Sequence, residues 1–219
     1  MKKNLVLITL FILPIVAYLF FASGINSFAK LPTITKSIPD ISNWKSLDGK
    51  KISLSNKITI LGFTGSDILK SKGGFFNLNQ KIYEKNRAFK DFQFVMIAPL
   101  GTEPQVNEMI KKLQTLTTDT SGWHFVFASP QEIKIFYGKM NLVENLNNEL
   151  RTPNVFIVDK NRNIRGRKGK SEKGKEEYKE GYNIENVSEL YNEMTDDVKI
   201  ILAEYRLALK KNHNASRQI

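Results

Sequence analysis

The chain has 219 residues, a formal net charge of +11 and no cysteine. Without cysteine it can form no disulfide, thiolate metal site or thiol nucleophile, so thiol redox chemistry and cysteine-based catalysis are excluded. The positive charge favours acidic partners such as anionic lipid headgroups or acidic proteins, or it produces only a solvated basic surface, because the lysines are scattered along the sequence. We expect no nucleic-acid partner and no cofactor.

The N-terminus has the features of a membrane-targeting segment. Lys2 and Lys3 precede an apolar run over residues 5–22, which is just long enough to span a bilayer. Residues 1–23 are therefore predicted to be a transmembrane anchor or signal, followed by a polar linker over residues 24–36. An uncleaved anchor is favoured over a cleaved signal, since Ser27-Phe28-Ala29 is a weak cleavage site. The positive-inside rule then predicts a single-pass protein of the cell (inner) membrane with its soluble domain on the periplasmic or extracytoplasmic side.

Apolar, β-branched runs alternate with helical patterns along the rest of the chain. The first central strand, residues 57–63, breaks at Gly65-Ser66-Asp67, and α/β folds place their chemistry at turns of this kind, at the carboxyl edge of the sheet. This order predicts a sheet with helices on both faces. Further strands are predicted at 92–98, 123–128 and 154–159 with a hairpin partner from 164, and helices at 74–87, 103–116, 130–139 and 187–194, with a last helix capped by 195–197 and frayed from 211.

Local signals mark turns, caps and one insertion. Asp48-Gly49 predicts a hairpin turn, and residues 102–105 and 129–132 predict capped helix starts. Residues 165–181 are rich in lysine, glycine and glutamate with almost no apolar side chain. They are therefore predicted to form an exposed, mobile basic hairpin.

Several short segments together carry a resemblance to one known family. They are Ile38-Pro39-Asp40, Leu47-Asp48-Gly49-Lys50, Ile52-Ser53-Leu54, Gly62-Phe63-Thr64-Gly65, Phe92–Ala98, Trp123-His124-Phe125 and Thr152-Pro153-Asn154. Their order resembles the SCO/SenC family of membrane-anchored copper-handling proteins, within the thioredoxin superfamily, over roughly residues 36–165. The resemblance implies a thioredoxin-like three-layer α/β/α sandwich over residues 37–212, with a flexible tail at 213–219, and a cis-proline at Pro153 facing the active turn.

The chain departs from this family at the positions that carry its chemistry. Ser66 and Lys70 stand where the family's Phe-Thr-x-Cys-Pro-x-x-Cys-Pro motif has its cysteines. The family's copper-binding histidine lies eight residues before an aspartate, and counting back from Asp159 gives Arg151. A hydroxyl, an ammonium and a guanidinium are poor ligands for copper, which prefers thiolates and thioethers as Cu(I). The resemblance therefore implies a degenerate site that binds no metal.

Other chemistry is weaker in this sequence. Ser66 with Lys70 as its base would give a hydrolase-like enzyme, provided that the lysine is desolvated. Ser66, Lys70 and Arg151 together are a candidate anion-binding site, and the basic insertion is a candidate contact for an anionic lipid surface. His124 and His213 are interpreted as a structural and a solvated side chain, respectively.

These observations predict a membrane-anchored, extracytoplasmic SCO/SenC-like protein that is not an enzyme. It would act as a non-catalytic binding or assembly factor with a pseudo-active site, and the resemblance suggests a role beside respiratory oxidase assembly. A protein partner is expected but not identified. The alternatives are an enzyme that uses Ser66 and Lys70 and an anion- or lipid-binding module.

Overall fold

The structure is a computed structural model that describes residues 9–16, 18, 30–170 and 176–215. Residues 9–16 are helical, but no helix among the described residues has the length and apolar character needed to cross a membrane. Most of the predicted anchor over residues 1–23 lies outside the described residues, together with residues 24–29 of the linker and 216–219 of the tail. Both remain predictions.

A mixed eight-stranded sheet forms the centre of the domain, in the order β1-β7-β6-β3-β4-β5-β2, with β10 also paired to β6. Strands β3, β4 and β5 are parallel, and β6 runs antiparallel to β3. Strands β8 and β9 form a separate hairpin. The strands are β1 Thr33–Thr35, β2 Lys45–Ser46, β3 Ile58–Thr64, β4 Phe92–Pro99, β5 Trp123–Ala128, β6 Arg151–Val158, β7 Ile164–Arg165, β8 Arg167–Lys170, β9 Glu176–Lys179 and β10 Tyr182–Asn183.

Within residues 30–170 and 176–215, four helices flank the sheet. A 3-10 turn at Ile68–Ser71 leads into α1, residues 72–86, which includes a π-helical segment at Asn79–Tyr83. Helix α2 is Glu103–Gln114 and α3 is Pro130–Lys139. Helix α4 spans residues 187–215, with a π-helical segment at Leu190–Met194.

The two faces of the sheet carry separate hydrophobic cores. On one face Ile60 and Phe94 pack with α1, α2 and α4. On the other face Leu61 and Val95 pack with α3 and with the segment that precedes β3. Successive residues of a strand point to opposite faces, so strands covered on both sides need largely apolar sequences, as β3 and β4 have. The predicted α/β class with three layers is confirmed.

The predicted hairpin at Asp48-Gly49 is wrong, although a turn is present there. Gly49 adopts φ +72°, and the Asp48 carboxylate accepts hydrogen bonds from the Ser46 hydroxyl and the Lys50 amide. Strand β2 before the turn pairs with β5, and no strand follows the turn over residues 51–57. Side-chain hydrogen bonds close this turn. The segment after it packs into the core through Leu54 without forming a strand.

The helix caps agree with the prediction at one place and differ at two. Ser129 and Glu132 form the complete predicted capping box at the start of α3. The Thr102 hydroxyl instead donates to the Pro99 carbonyl at 2.7 Å and does not cap α2. The Thr195 hydroxyl donates to the Leu190 carbonyl at 2.8 Å. Residues 187–215 are helical without a break, so the two predicted C-terminal helices form one continuous helix, α4.

The basic insertion is less exposed than predicted because two of its arginines are fastened to the domain. Arg165 is buried and pairs with Asp159 and Glu204, each at 2.9 Å. Arg167 forms two hydrogen bonds, of 2.9 and 3.1 Å, with the buried Asp197 carboxylate. A buried carboxylate needs such partners, since an unpaired charge in the interior is very costly. Residues 171–175 of the insertion lie outside the described residues.

Candidate functional site

The predicted turn follows β3 at the carboxyl edge of the three parallel strands. Gly65 has φ +68°, and a Cβ there would lie 2.7 Å from Arg151 Cβ and 2.8 Å from the Glu149 carbonyl oxygen. Glycine adopts this backbone conformation without steric cost and leaves the space that the neighbouring loop occupies. The Ser66 amide donates to the Glu149 carbonyl at 3.1 Å. The turn is therefore held directly against the loop before β6.

Gln105 of α2 holds the turn from its other side. Its Nε2 donates to the Ser66 carbonyl at 3.1 Å, and its Oε1 accepts from the Ile68 amide at 3.0 Å. Asp67 accepts from the Lys70 amide at 3.3 Å and caps the 3-10 turn. The backbone around Ser66 and Lys70 is thus satisfied by side chains of the domain itself.

Ser66 and Lys70 themselves are exposed on this edge. The Lys70 side chain is 56% exposed, and its Nζ lies 3.8 Å from the Glu149 carboxylate. No hydrogen bond joins the Ser66 hydroxyl to Lys70 in the part of the chain that the structure describes. The two residues share a turn, but their side chains do not form a dyad.

Arg151 lies beside the turn, as its predicted role requires. In the β3–β6 register it is the partner of Thr64, the last residue of β3. Its Nε donates to the Ser71 hydroxyl at 2.7 Å, and its guanidinium also pairs with Glu185 in the turn before α4. Its side chain is only 12% exposed. Arg151 therefore ties together β6, the start of α1 and the start of α4.

The loop before Arg151 has a strained backbone that sequence reasoning missed. Leu150 is buried and adopts φ +63°, a left-handed conformation that is rare for a branched side chain. Such a residue costs about 1–3 kcal/mol and persists only where the surroundings fix it. Asn147 does so here, because its Oδ1 accepts from the amides of Glu149 and Arg151 at 3.0 and 2.9 Å.

The prediction of a cis-proline at Pro153 is wrong. No cis peptide bond occurs among the described residues. Pro153 lies within β6, where the register with β3 shifts between the Gly62–Val155 and Thr64–Arg151 pairs. Proline has no amide hydrogen, and irregular positions of a strand tolerate it. Its carbonyl accepts from the Ile184 amide at 3.0 Å, which holds this part of β6 against the turn before α4.

The two cations of the candidate anion site already have carboxylate partners. Lys70 is paired with Glu149 and Arg151 with Glu185, so these four side chains carry no net formal charge. An anion would have to compete with both carboxylates, and the geometry therefore disfavours the predicted anion site. Glu149 lies two residues from Arg151, but Glu185 is 34 residues away in sequence, and no local pattern connects it to this edge.

The histidines and carboxylates that the structure describes do not gather elsewhere into a metal-binding group. Among the described residues, no three side chains of His, Cys, Asp or Glu lie together in a way that could hold a metal ion. His124 lies in β5 opposite Val95, and burial lowers the pKa of its imidazole below the ordinary value. This environment fits the structural role predicted for it. The His213 side chain lies outside the described residues.

Comparisons with known proteins support the fold. No protein-family model and no curated protein matches the sequence. Among solved structures, the chain is similar to a SCO1/SenC family lipoprotein from Bacillus anthracis, with a TM-score of 0.54 and 17% identity over 80% of this chain and 99% of that one. It is also similar to BsSco, a member of the Sco family of cytochrome c oxidase assembly proteins, with a TM-score of 0.51 and 15% identity over 79% and 98% of the two chains.

These likenesses confirm the predicted resemblance at the level of the fold. Identities of 15–17% do not carry over a function, but the alignments cover almost all of both solved chains. The central sheet, the helices on both its faces and the turn after the first central strand thus give this protein a thioredoxin-like fold of the kind found in SCO/SenC proteins.

Proposed function

We propose that this protein is a non-catalytic binding or assembly factor built on a SCO-like thioredoxin fold. The observation that carries this proposal is the closed carboxyl edge of the sheet. Ser66, Lys70 and Arg151 lie there, at the positions that the resemblance assigns to the family's ligands, and both cations are paired with carboxylates of the same domain. The edge presents a fixed surface where related folds present reactive groups.

The side chains at this edge support a role without redox or copper chemistry. Disulfide exchange needs a thiolate, and the chain contains no cysteine. Cu(I) prefers thiolate and thioether ligands, whereas protonated lysine and arginine have no lone pair to offer. Arg151 is largely buried and bonded to Ser71, so it cannot swing away without leaving that hydroxyl unpaired.

The geometry gives no support to a hydrolase that uses Ser66 and Lys70. A lysine acts as a general base where it is desolvated, but the Lys70 side chain is more than half exposed and lies beside Glu149. The described part of the chain offers no hydrogen bond from Ser66 to an alternative base. We therefore place the function of this edge in binding.

We further propose that the domain works at the extracytoplasmic surface of the cell membrane, tethered by its N-terminal segment. The lysine pair and the long apolar run of that segment support this location. BsSco belongs to a family of cytochrome c oxidase assembly proteins, and this likeness in fold supports a protein of a respiratory oxidase complex as the partner.

Copper retention by the purified full-length protein tests the non-catalytic assignment. We expect no stoichiometric Cu(I) or Cu(II) after dialysis, measured by elemental analysis. The variant Ser66→Cys/Lys70→Cys/Arg151→His supplies the family's ligand types at the same positions and serves as the comparison. Retention of about one copper per wild-type chain that is lost on changing Ser66 or Arg151 would overturn the proposal.

Cross-linking tests the binding role directly. A photo-reactive side chain at Ser66 in the full-length protein, irradiated in its native membrane, should give a discrete protein adduct. The same group at Lys134, on the exposed surface of α3, is the matched control. An adduct pattern that is the same at both positions would argue against a binding surface at the turn.

A further inference from the structure

Two adjoining clefts lie at the amino edge of the parallel strands, opposite the turn. They have volumes of about 380 and 330 Å³ and share Phe89, Leu202 and Arg206 in their walls. The larger cleft also contacts Ile58, the first residue of β3, and Lys160, just beyond the end of the antiparallel β6. Together they form one continuous depression between α4 and the loop before β4, and we call it the basal cleft.

The basal cleft combines an apolar floor with a positively charged rim. Leu202 and Ile58 are buried beneath it, and Phe89 is 39% exposed at its centre. Five of its lining side chains are cationic and one is anionic, which gives the lining a net charge of +4: Lys85, Lys90, Lys160, Lys199 and Arg206 against Asp91.

Part of this charge has no ion-pair partner among the described residues of the domain. Lys160 pairs with Asp91, and Lys199 pairs with Asp196 at 3.0 Å. Lys90 and Arg206 form no ion pair with any other described residue. Unpaired cations around an exposed aromatic ring are suited to a membrane interface, where the ring enters the headgroup region and the cations meet phosphates.

The chain enters the domain beside this cleft. The carbonyl oxygen of Leu31 accepts from the Arg165 guanidinium at 2.6 and 3.0 Å, and the same guanidinium pairs with Asp159 and Glu204. Lys160 and Tyr205, which directly follow Asp159 and Glu204 in the sequence, line the basal cleft. The predicted anchor, residues 1–23, ends eight residues before Leu31, and eight extended residues span at most about 29 Å.

We propose that the basal cleft docks on the anionic phospholipid surface of the membrane to which the chain is tethered. Phosphate headgroups contact Lys90 and Arg206, and Phe89 enters the interface between them. This inference rests on the proposed membrane tether, but it does not depend on the absence of copper chemistry. It differs from a contact through the basic insertion, whose Arg165 and Arg167 are already paired within the domain.

Docking at the basal cleft would fix the orientation of the whole domain. Strand β3 runs for seven residues from Ile58 in the cleft to Thr64 at the turn. At about 3.3 Å per residue, the turn would stand roughly 20 Å further from the membrane than the cleft. The edge with Ser66, Lys70 and Arg151 would then face the space in which a protein partner could reach it.

Fluorescence quenching in vesicles tests this contact with the full-length chain. The variant Phe89→Trp is reconstituted into vesicles of phosphatidylcholine alone or with one quarter phosphatidylglycerol, each with acyl chains brominated near the headgroup. Emission beyond that of Trp44 and Trp123 in the unmodified chain reports residue 89. We expect quenching in the anionic vesicles only, and none for Val143→Trp, a position that is 83% exposed and does not line the cleft.

Charge variants distinguish membrane contact through the basal cleft from nonspecific attraction by the protein's overall positive charge. Each cation near an anionic surface contributes about five-fold to the contact equilibrium, so Lys90→Gln/Arg206→Gln should weaken it about 25-fold. Lys111→Gln/Lys134→Gln changes the net charge equally on other exposed surfaces and should leave the quenching unchanged. Protection of Lys90 from acetylation in the unmodified chain, compared with Lys134, gives the same answer without any substitution.

Each other outcome overturns the proposal in a distinguishable way. If the protein co-floats with the vesicles but shows no quenching, or equal quenching in both lipids, it is tethered to the membrane but the basal cleft does not dock on anionic lipid. If the protein does not co-float with the vesicles, the proposed tether is wrong as well. Loss of quenching with 10 mM inorganic phosphate at constant ionic strength would identify a soluble phosphate site. Protection of Lys90 that appears only with an added acidic protein would identify a protein surface.

Discussion

Replacement of Arg151 by methionine probes the closed edge directly. The substitution removes the guanidinium but keeps a long apolar side chain against the turn. The hydrogen bond from the charged Nε to the Ser71 hydroxyl, at 2.7 Å on a side chain that is 12% exposed, contributes about 1.5–3 kcal/mol. The pair with Glu185 contributes about 0–1 kcal/mol, because that carboxylate is 49% exposed. We expect Arg151→Met to lower the free energy of unfolding by about 1.5–4 kcal/mol.

Urea denaturation followed by tryptophan fluorescence measures this loss, since Trp123 lies in the core. A double-mutant cycle apportions it between the two partners. Ser71→Ala should couple to Arg151→Met by about 1–2 kcal/mol. Glu185→Gln should couple by less than about 1 kcal/mol, and that coupling should shrink at high salt because the carboxylate is half exposed.

Two results would refute this reasoning. A loss below about 0.5 kcal/mol for Arg151→Met would place it among ordinary surface substitutions. Zero coupling with Ser71 would mean that the guanidinium does not hold the turn in solution. Either result would leave Arg151 free to move, and the carboxyl edge could not then be described as closed by the domain's own side chains.

Three further predictions concern the same framework. Gly65→Ala should lower the free energy of unfolding by more than about 2 kcal/mol, because alanine is strained in the left-handed conformation and its Cβ would clash with Arg151. As a control, Gly73→Ala has open space around it and should not destabilise α1. Ser129→Ala should cost about 1 kcal/mol by removing the N-cap of α3, and an unchanged urea midpoint would contradict the capping box. Burial lowers the pKa of His124, so its contribution to stability should be present above pH 6.5 and decline as the pH falls below that value. Unfolding measured between pH 8 and 5 should show that His124→Gln removes this decline.

Much of the fold could be read from local patterns. The buried run of β3, the strand at residues 123–128 and the helix at 130–139 follow from apolar periodicity and from the capping residues Ser129 and Glu132. Predictions of helix caps failed where the hydroxyl donates to a nearby backbone carbonyl instead of accepting from a helix amide. The Thr195 hydroxyl binds the Leu190 carbonyl inside α4, so a residue that resembles a helix cap lies within a continuous helix.

The candidate site was predictable in its positions but not in its contacts. The register of β3 and β6 places Arg151 opposite Thr64, beside the turn that contains Ser66, as the motif spacing implied. The carboxylate partner of Arg151 could not be predicted from the sequence, because Glu185 pairs with Arg151 only through the packing of the turn before α4. The backbone of Leu150 was equally hidden, since its left-handed conformation depends on hydrogen bonds to Asn147.

The sequence by itself determined what chemistry this protein cannot perform and which elements it forms. The absence of cysteine excludes thiolate chemistry in any fold, and apolar periodicity with capping residues specifies strands and helices locally. Only the tertiary structure decided how the charges are used. It pairs Lys70 and Arg151 with carboxylates at the turn, and at the opposite edge it gives Lys90 and Arg206 no ion-pair partner among the residues that the structure describes. Ion pairs depend on distances between segments that are remote in sequence, and only the packed sheet and helices fix those distances.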